Sequence, residues 1–360
     1  MTRYLLAGGG TAGHVNPLLA VADRVMEREP DAVVSVLGTT EGLESRLVPQ
    51  RGYELVVVPK LPFPRRPNGA AVRFPREFLR SVARIRAIIR ERDIDVVVGF
   101  GGYVSAPAYV AARREHIPLV IHEANAKPGI ANRLGSRLSR FVGVAFRGTP
   151  LRHARFVGMP LRREIERLDR AGTRPEAVAF FGLDESRPTL LVTGGSQGAK
   201  HLNETVLEVA ADVVAAGWQV LHIAGERFDL EVPELPQYHV LAYCDRMDLA
   251  LAATDLALSR AGSATVSELT ALGIPAVYVP LAFGNGEQRL NAAEAVRVGA
   301  ARLVENAQFA PRWVRAELMP LLDDRDGLVR MSERARSIGV LDGADRTVAL
   351  VGDALAGRVH

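Results

Sequence analysis

The chain is almost without cysteine and lysine. One of its 360 residues is a cysteine, Cys244. A single thiol excludes an internal disulfide and any cysteine-cluster metal site. No apolar run approaches the roughly 18 residues of a membrane-spanning helix, and Met1-Thr2-Arg3 leads straight into an apolar strand pattern without a signal peptide. A cytoplasmic protein is therefore expected. Lysine occurs only at Lys60, Lys127 and Lys200, so the remaining basic residues are arginine. Net charge is +4 and mean hydropathy +0.06, with 48% of residues hydrophobic, which excludes a disordered composition. The length corresponds to about two or three domains.

What is present is a rhythm. Short β-branched runs at 4–7, 33–37, 54–58, 95–98, 118–121 and 141–144 alternate with helical patterns at 15–28, 41–50, 76–92, 104–114 and 129–138. That alternation predicts an α/β fold with a parallel sheet. A second series runs through strands near 189–193, 219–223, 238–241, 255–258, 276–279 and 301–304. Between the two, 148–175 has only a short piece at 154–157 and a turn of helix at 161–168, and it reads as a connection. The expected domains are 1–158 and 159–340, with the last helical pattern, 341–360, crossing back onto the first.

The first strand ends in Gly8-Gly9-Gly10-Thr11-Ala12-Gly13-His14. Strand, glycine turn and helix together aim backbone N–H groups at an anion. The spacing also spells a dinucleotide fingerprint. However, the next strand ends in Gly38-Thr39-Thr40, with no carboxylate in the place of a ribose ligand. His14 lies near a helix N-terminus, whose positive potential disfavours an imidazolium. A neutral ring there suits a general base; a histidine that merely caps the turn is the plain alternative. Further turns follow later strands at Gly99-Phe100-Gly101-Gly102-Tyr103 and at Gly194-Gly195-Ser196-Gln197-Gly198-Ala199. The strand at 118–121 runs into His122-Glu123-Ala124-Asn125. All lie at strand C-terminal ends, where open α/β sheets bind ligands.

Residues 60–92 carry ten basic side chains and two acidic ones, a net of +8 against −4 for the remainder. Phe78, Val82, Ile85 and Ile89 form one seam of a helix with arginines elsewhere. An arginine-coated surface helix is the bland reading. The sharper one is an anionic membrane surface met by Phe63, Arg65, Arg66, Phe74, Arg76 and Arg80, with Leu79 beside them. Nucleic acid is not expected, because no recognised motif accompanies the charge.

In the second half, Gly262-Ser263-Ala264-Thr265-Val266-Ser267-Glu268 follows a strand. Ser263 or Thr265 can cap a helix whose N–H groups would take a diphosphate, and Glu268 can accept from a ribose diol. Gln288 and Asn291, after the strand at 276–279, suit sugar hydroxyls. Six motifs in order (9–14, 101–105, 122–125, 194–199, 262–268 and 286–291) make the chain resemble the MurG family of peptidoglycan N-acetylglucosaminyltransferases. The resemblance implies a GT-B fold, two Rossmann-like domains facing across a cleft. It also implies inverting transfer of GlcNAc from UDP-GlcNAc to lipid I, the undecaprenyl-diphosphate-linked MurNAc-pentapeptide, giving lipid II. By matched position the donor site would comprise Thr11, Ala12, Gly13, Asn125, Arg162, Ser196, Cys244 through its backbone, Ser263, Ala264, Thr265, Val266, Ser267, Glu268 and Gln288. Gly10, Gly13, Gly101, Gly102 and Tyr103 would meet the acceptor diphosphate. The family departs at Ala12, usually a glycine, and at Ala124, often a glutamine.

His14 is the candidate catalytic base and Glu123 the second. No cofactor or metal is implied: Asp93-Ile94-Asp95 spells an Asp-x-Asp but precedes its strand, away from the ligand end. The resemblance further implies a peripheral enzyme on the cytoplasmic face of the cell membrane, with cell-division and cell-wall proteins as partners. The rivals are a dinucleotide oxidoreductase, another GT-B enzyme such as a UDP-GlcNAc 2-epimerase, and a non-catalytic nucleotide-binding protein at the membrane.

Overall fold

The computed structural model describes residues 1–64, 69–195, 198–229, 231–232, 234–281 and 286–357. It divides into an N-terminal unit, Met1–Arg162 with Leu341–His360, and a C-terminal unit, Arg163–Val340.

In the N-terminal unit seven strands form one sheet: β1 (Arg3–Gly8), β2 (Val33–Gly38), β3 (Glu54–Val57), β4 (Val96–Gly101), β5 (Leu119–Glu123), β6 (Phe141–Val144) and β7 (Ala154–Phe156). Their order is β3-β2-β1-β4-β5-β6-β7 and every pairing is parallel. Leu5 and Leu6 point to opposite faces and both are fully buried, because helices cover both sides. One face packs Tyr4, Leu6 and Val98 against Leu18, Val21 and Val25 of helix Ala12–Arg28 and Val351 of helix Gly343–Leu355. The other packs Leu5, Val97 and Ile121 against Val82, Ile85 and Ile89 of helix Gly69–Glu91 and Tyr109 of helix Ser105–Arg114. The C-terminal helix is also pinned by Asp345, which pairs with Arg24 and Arg28.

The C-terminal unit repeats the plan with β8 (Thr189–Thr193), β9 (Gln219–Ile223), β10 (Tyr238–Leu241), β11 (Leu256–Ser259), β12 (Ala276–Tyr278) and β13 (Ala301–Leu303), ordered β10-β9-β8-β11-β12-β13 and again all parallel. Both sheets therefore reverse direction of growth beside their first strand, the doubly wound arrangement that opens a ligand crevice at the strands' C-terminal ends.

The connection holds more structure than expected. The short piece at 154–157 is the edge strand Ala154–Phe156, Arg163–Glu166 is the turn of helix expected at 161–168, and Arg170–Phe181 is a further helix despite Pro175 within it. Its amphipathic signal is weak. Arg170 and Arg174 anchor the helix instead, donating to the carbonyls of Leu251, Thr254 and Ala253 and to Asp255. The basic helix starts at Gly69, seven residues before the sequence pattern placed it.

Candidate active site

In the N-terminal unit the strand order reverses between β1 and β4, and the turns that follow these two strands are the two glycine turns. They pack backbone against backbone. A Cβ at Gly102 would lie 2.6 Å from the Gly9 carbonyl oxygen, and its φ of +92° suits only glycine. Buried Ser105 joins both strand ends, donating to the carbonyl of Ala7 or Gly101 at 3.0 and 2.7 Å.

His14 is the third residue of helix Ala12–Arg28 and is half-buried. Its Nδ1 lies 3.2 Å from the Gly9 carbonyl and 3.2 Å from Thr11 Oγ1. A carbonyl can only accept, which favours the tautomer with the proton on Nδ1 and the lone pair at Nε2, whereas the Thr11 hydroxyl can pair with either form. The Nε2 edge is turned toward Gly101, where an added Cβ would lie 3.2 Å from it.

Sequence reasoning missed two residues here. Helix Glu44–Gln50, after β2, turns the Glu44 carboxylate inward, with 1% exposure. Oε2 accepts from Gly10 N at 2.8 Å, and Oε1 accepts from Thr39 N and Oγ1 at 3.0 and 2.9 Å. Burial pushes this carboxyl up, but the N–H groups of Gly10 and Thr39 outweigh it and hold the group below the ordinary carboxylate range. The Glu44 carboxylate thus lies beside the end of β2. It is spent on the turn and not presented to a ribose. The second residue is Lys60. It pairs with Glu41 at 2.9 Å, sits 5.8 Å above the Tyr103 ring, and joins Gly10, Thr11 and Tyr103 in a pocket of about 220 Å³. Its rarity as a lysine was the available signal.

Glu123 is 2% exposed and its oxygens accept from Asn125 N, Gly129 N and Asn132 Nδ2 at 2.9, 2.9 and 3.0 Å. Asn132 in turn accepts from the Tyr109 hydroxyl at 2.6 Å. This carboxylate braces the loop that carries half-buried Asn125. Neighbouring His122 is fully buried, Nε2 donating to the Gly158 carbonyl at 3.0 Å, and burial pushes its pKa down to about 4.

The C-terminal unit reverses between β8 and β11. The turn after β8 includes Ser196, which lies outside the described residues. After β11, helix Ser263–Ala271 begins with Gly262 in extended backbone at its N-cap, and among the described residues no side chain caps it. The expected caps, Ser263 and Thr265, are thus corrected: Ser263 is buried inside the first turn, and the first-turn N–H groups have no side-chain cap. Ala264, Thr265, Ser267 and Glu268 are half-buried and Val266 is buried. Arg260 steadies this turn, one nitrogen donating to the carbonyls of Val279 and Pro280 and to Asn306 Oδ1 at 2.9, 3.1 and 2.7 Å. Gln288 accepts from Leu281 N at 2.9 Å and remains half-buried. Asn291 is not a sugar ligand: it is 1% exposed, and its Nδ2 donates to the Ala261 carbonyl at 3.3 Å, bracing the same turn. Cys244 is buried in the bend between β10 and helix Met247–Ala253, and Arg162 is the last residue of the N-terminal unit's first segment.

Residues 4–144 fit the glycosyltransferase family 28 N-terminal domain and residues 189–347 its C-terminal domain. The chain belongs to glycosyltransferase family 28. It is 63% identical over 351 residues to a Leifsonia xyli subsp. xyli protein, covering 98% of both chains. It is 48% identical to one from Streptomyces coelicolor, covering 99% of this chain and all of that one. Both bear the name UDP-N-acetylglucosamine–N-acetylmuramyl-(pentapeptide) pyrophosphoryl-undecaprenol N-acetylglucosamine transferase. The crystal structure of Acinetobacter baumannii MurG superposes with a TM-score of 0.81 at 27% identity, over 98% of this chain and all of that one. A UDP-GlcNAc 2-epimerase from Neisseria meningitidis shares the fold, with a TM-score of 0.70 at 13% identity over 98% of this chain and all of that one. The family 28 chain is a GT-B glycosyltransferase.

Its basic helix differs in detail from expectation. Phe63 and Phe74 are half-buried and meet at 5.1 Å between ring centres, tilted by 39°, and Phe74 meets Phe78 at 5.8 Å. Aromatic rings pack into any apolar neighbour within reach. The exposed apolar side chains are Val72 and Leu79, at 81% and 53%, beside exposed Arg76 and Arg80. Arg65 and Arg66 lie outside the described residues. No described helix is long and apolar enough to cross a membrane. Asp93 and Asp95 lie at the start of β4, Asp95 accepting from Arg3 N at 2.8 Å and Asp93 lying 3.6 Å from Arg3 Nη1.

Proposed function

We propose that this glycosyltransferase moves GlcNAc from UDP-GlcNAc to the MurNAc 4-hydroxyl of lipid I, with inversion, making lipid II for peptidoglycan synthesis. The names of relatives up to 63% identical over nearly the whole chain support the substrates. One structural observation supports the chemistry: His14 Nδ1 lies 3.2 Å from the Gly9 carbonyl, an acceptor that favours the proton on Nδ1 and leaves Nε2 to take one.

The acceptor oxygen attacks C1 of GlcNAc, and its proton passes to Nε2. The C1–O bond to UDP breaks, and that electron pair leaves on the β-phosphate. The first turn of helix Ser263–Ala271, with no side-chain cap, offers fixed N–H dipoles to the departing charge. Arg162, Asn125, Ser196, Cys244, Glu268 and Gln288 complete the donor site in this reading. Thr11 to Gly13 belong to it by matched position, and Gly13, Gly101, Gly102 and Tyr103 serve the acceptor diphosphate, the Gly10 N–H being held by Glu44. Glu123 is spent on its loop, which leaves the base role to His14.

The enzyme acts from the cytoplasmic membrane face, with helix Gly69–Glu91 against anionic lipid and cell-wall and division proteins near it. The pair Asp93 and Asp95 binds Arg3 at the sheet end away from the glycine turns, so catalysis is expected to need no metal through them. The deciding assay is UDP release from UDP-GlcNAc with and without a lipid I analogue, repeated with a strong chelator. Release only with the acceptor, unchanged by chelation, is the expected result. Epimerisation of UDP-GlcNAc without the acceptor would overturn it.

A further inference from the structure

The peptide unit joining Gly9 and Gly10 is held at both ends. Its carbonyl faces His14 Nδ1 at 3.2 Å, and its N–H donates to Glu44 Oε2 at 2.8 Å. We propose that Glu44 is a positioning residue for the transfer, acting on His14 through the intervening Gly9–Gly10 peptide. This rests on His14 being the base.

Glu44 borders the pocket of Lys60 and Tyr103 but has little to offer a substrate: it is 1% exposed, and its other oxygen is filled by Thr39 N and Oγ1. Its place is carved by glycines. A Cβ at Gly9 would come within 2.5 Å of Oε1, one at Gly38 within 2.6 Å of Cγ, and one at Gly42 within 2.0 Å of Oε2. The sequence thus gives up three side chains around one carboxylate. A negative charge on the N–H end of an amide polarises the carbonyl end, as along any hydrogen-bonded chain. The Gly9 oxygen then holds the Nδ1 proton more firmly. That fixes the tautomer with the lone pair at Nε2, and it stabilises the cationic ring formed when the acceptor's proton arrives. A carboxylate does the same for histidine by direct contact in many hydrolases; here a peptide stands between them. The arrangement also removes Gly10 N–H from the donors open to an acceptor diphosphate.

The first test is spectroscopic and needs no variant. Ring ¹⁵N shifts of His14 in the full-length protein should show the Nδ1–H tautomer; an Nε2–H ring would overturn the proposal. The second is Glu44→Gln. An amide can satisfy Gly10 or Thr39 but not both, so it should mix the tautomers. It should lower kcat by roughly 10–100-fold, with the KM for UDP-GlcNAc within about twofold. In a His14→Ala background the same change should add less than about twofold, because residues acting as one unit are non-additive. A full loss in that background, or an unchanged ¹⁵N pattern in Glu44→Gln, would assign Glu44 a packing role only. Thr39→Val keeps the carboxylate on Gly10 and should keep the tautomer and turnover; a loss equal to that of Glu44→Gln overturns the proposal. If His14→Ala keeps its turnover, the base assignment fails instead. The ring shifts would still report whether Glu44 sets the tautomer.

Discussion

The two units share a strand order and differ in what braces the crevice turns. In the N-terminal unit a buried carboxylate, Glu44, holds the turn after β1. In the C-terminal unit a guanidinium, Arg260, holds the turn after β11, and its Nε is buried without a partner. Burial lowers the Arg260 pKa from its ordinary value, yet the group stays cationic at any working pH. The difference teaches how one architecture is given two electrostatic tasks. In the proposed reading the carboxylate braces the turn that carries the base, and positive charge near a helix N-terminus favours a diphosphate.

The largest expected effect separates the two tasks outright. His14→Ala should cut turnover by about 10²–10⁴-fold while UDP-GlcNAc binding, followed by calorimetry, stays nearly intact. Near-normal UDP release would erase the assigned division of labour. Next, Gly102→Ala puts a Cβ against the Gly9 carbonyl at positive φ. It should cost about 1–3 kcal/mol, read from urea unfolding, and the damage should fall on the N-terminal unit alone. Arg260→Met strands the carbonyls of Val279 and Pro280. A loss of about 1–3 kcal/mol in UDP affinity or C-terminal stability should follow, with the His14 tautomer untouched.

A subtler comparison uses one buried histidine per sheet. His122 in β5 and His222 in β9 both have pKa values pushed down to about 4 by burial. The unfolded chain takes up the proton near the ordinary value of about 6.5, whereas the folded chain refuses it until about 4. Each histidine therefore contributes stability that is complete above the unfolded value and is lost as pH falls between the two. His222 is bonded at both nitrogens, by the Tyr238 hydroxyl and Asn203, while His122 Nδ1 has no hydrogen-bond partner among the described residues. Thermal melts from pH 7 to pH 4 should show both units losing stability, and His122→Asn should flatten the slope for the N-terminal unit only. The smallest effect belongs to the basic helix. Arg76→Glu with Arg80→Glu should weaken binding to anionic vesicles by about 1 kcal/mol for each positive charge removed, without altering donor binding.

Much of the site was legible because it is local. A glycine turn after an apolar strand and before a helix announces itself within a few residues, as Gly8–His14, Gly101–Ser105 and Gly262–Glu268 do. What escaped is long-range. Glu44 reaches Gly10 across 34 positions, and nothing in its own helix marks it as more than a surface glutamate. Asn291 looked like a sugar ligand by residue type, but the chain folds it under Ala261. That Phe63, Phe74 and Phe78 would gather into one cluster of rings was likewise not readable from the sequence.

The sequence by itself determined the two alternating α/β series, their parallel sheets and the strand ends at which ligands would bind. Periodicity and turn chemistry are written in neighbouring residues, and the right-handed crossover leaves few topologies. Tertiary structure alone decided which polar side chains stay available and which are consumed as braces. A buried polar group must find a partner, and that partner is set by which distant segment the fold brings within 3 Å or so.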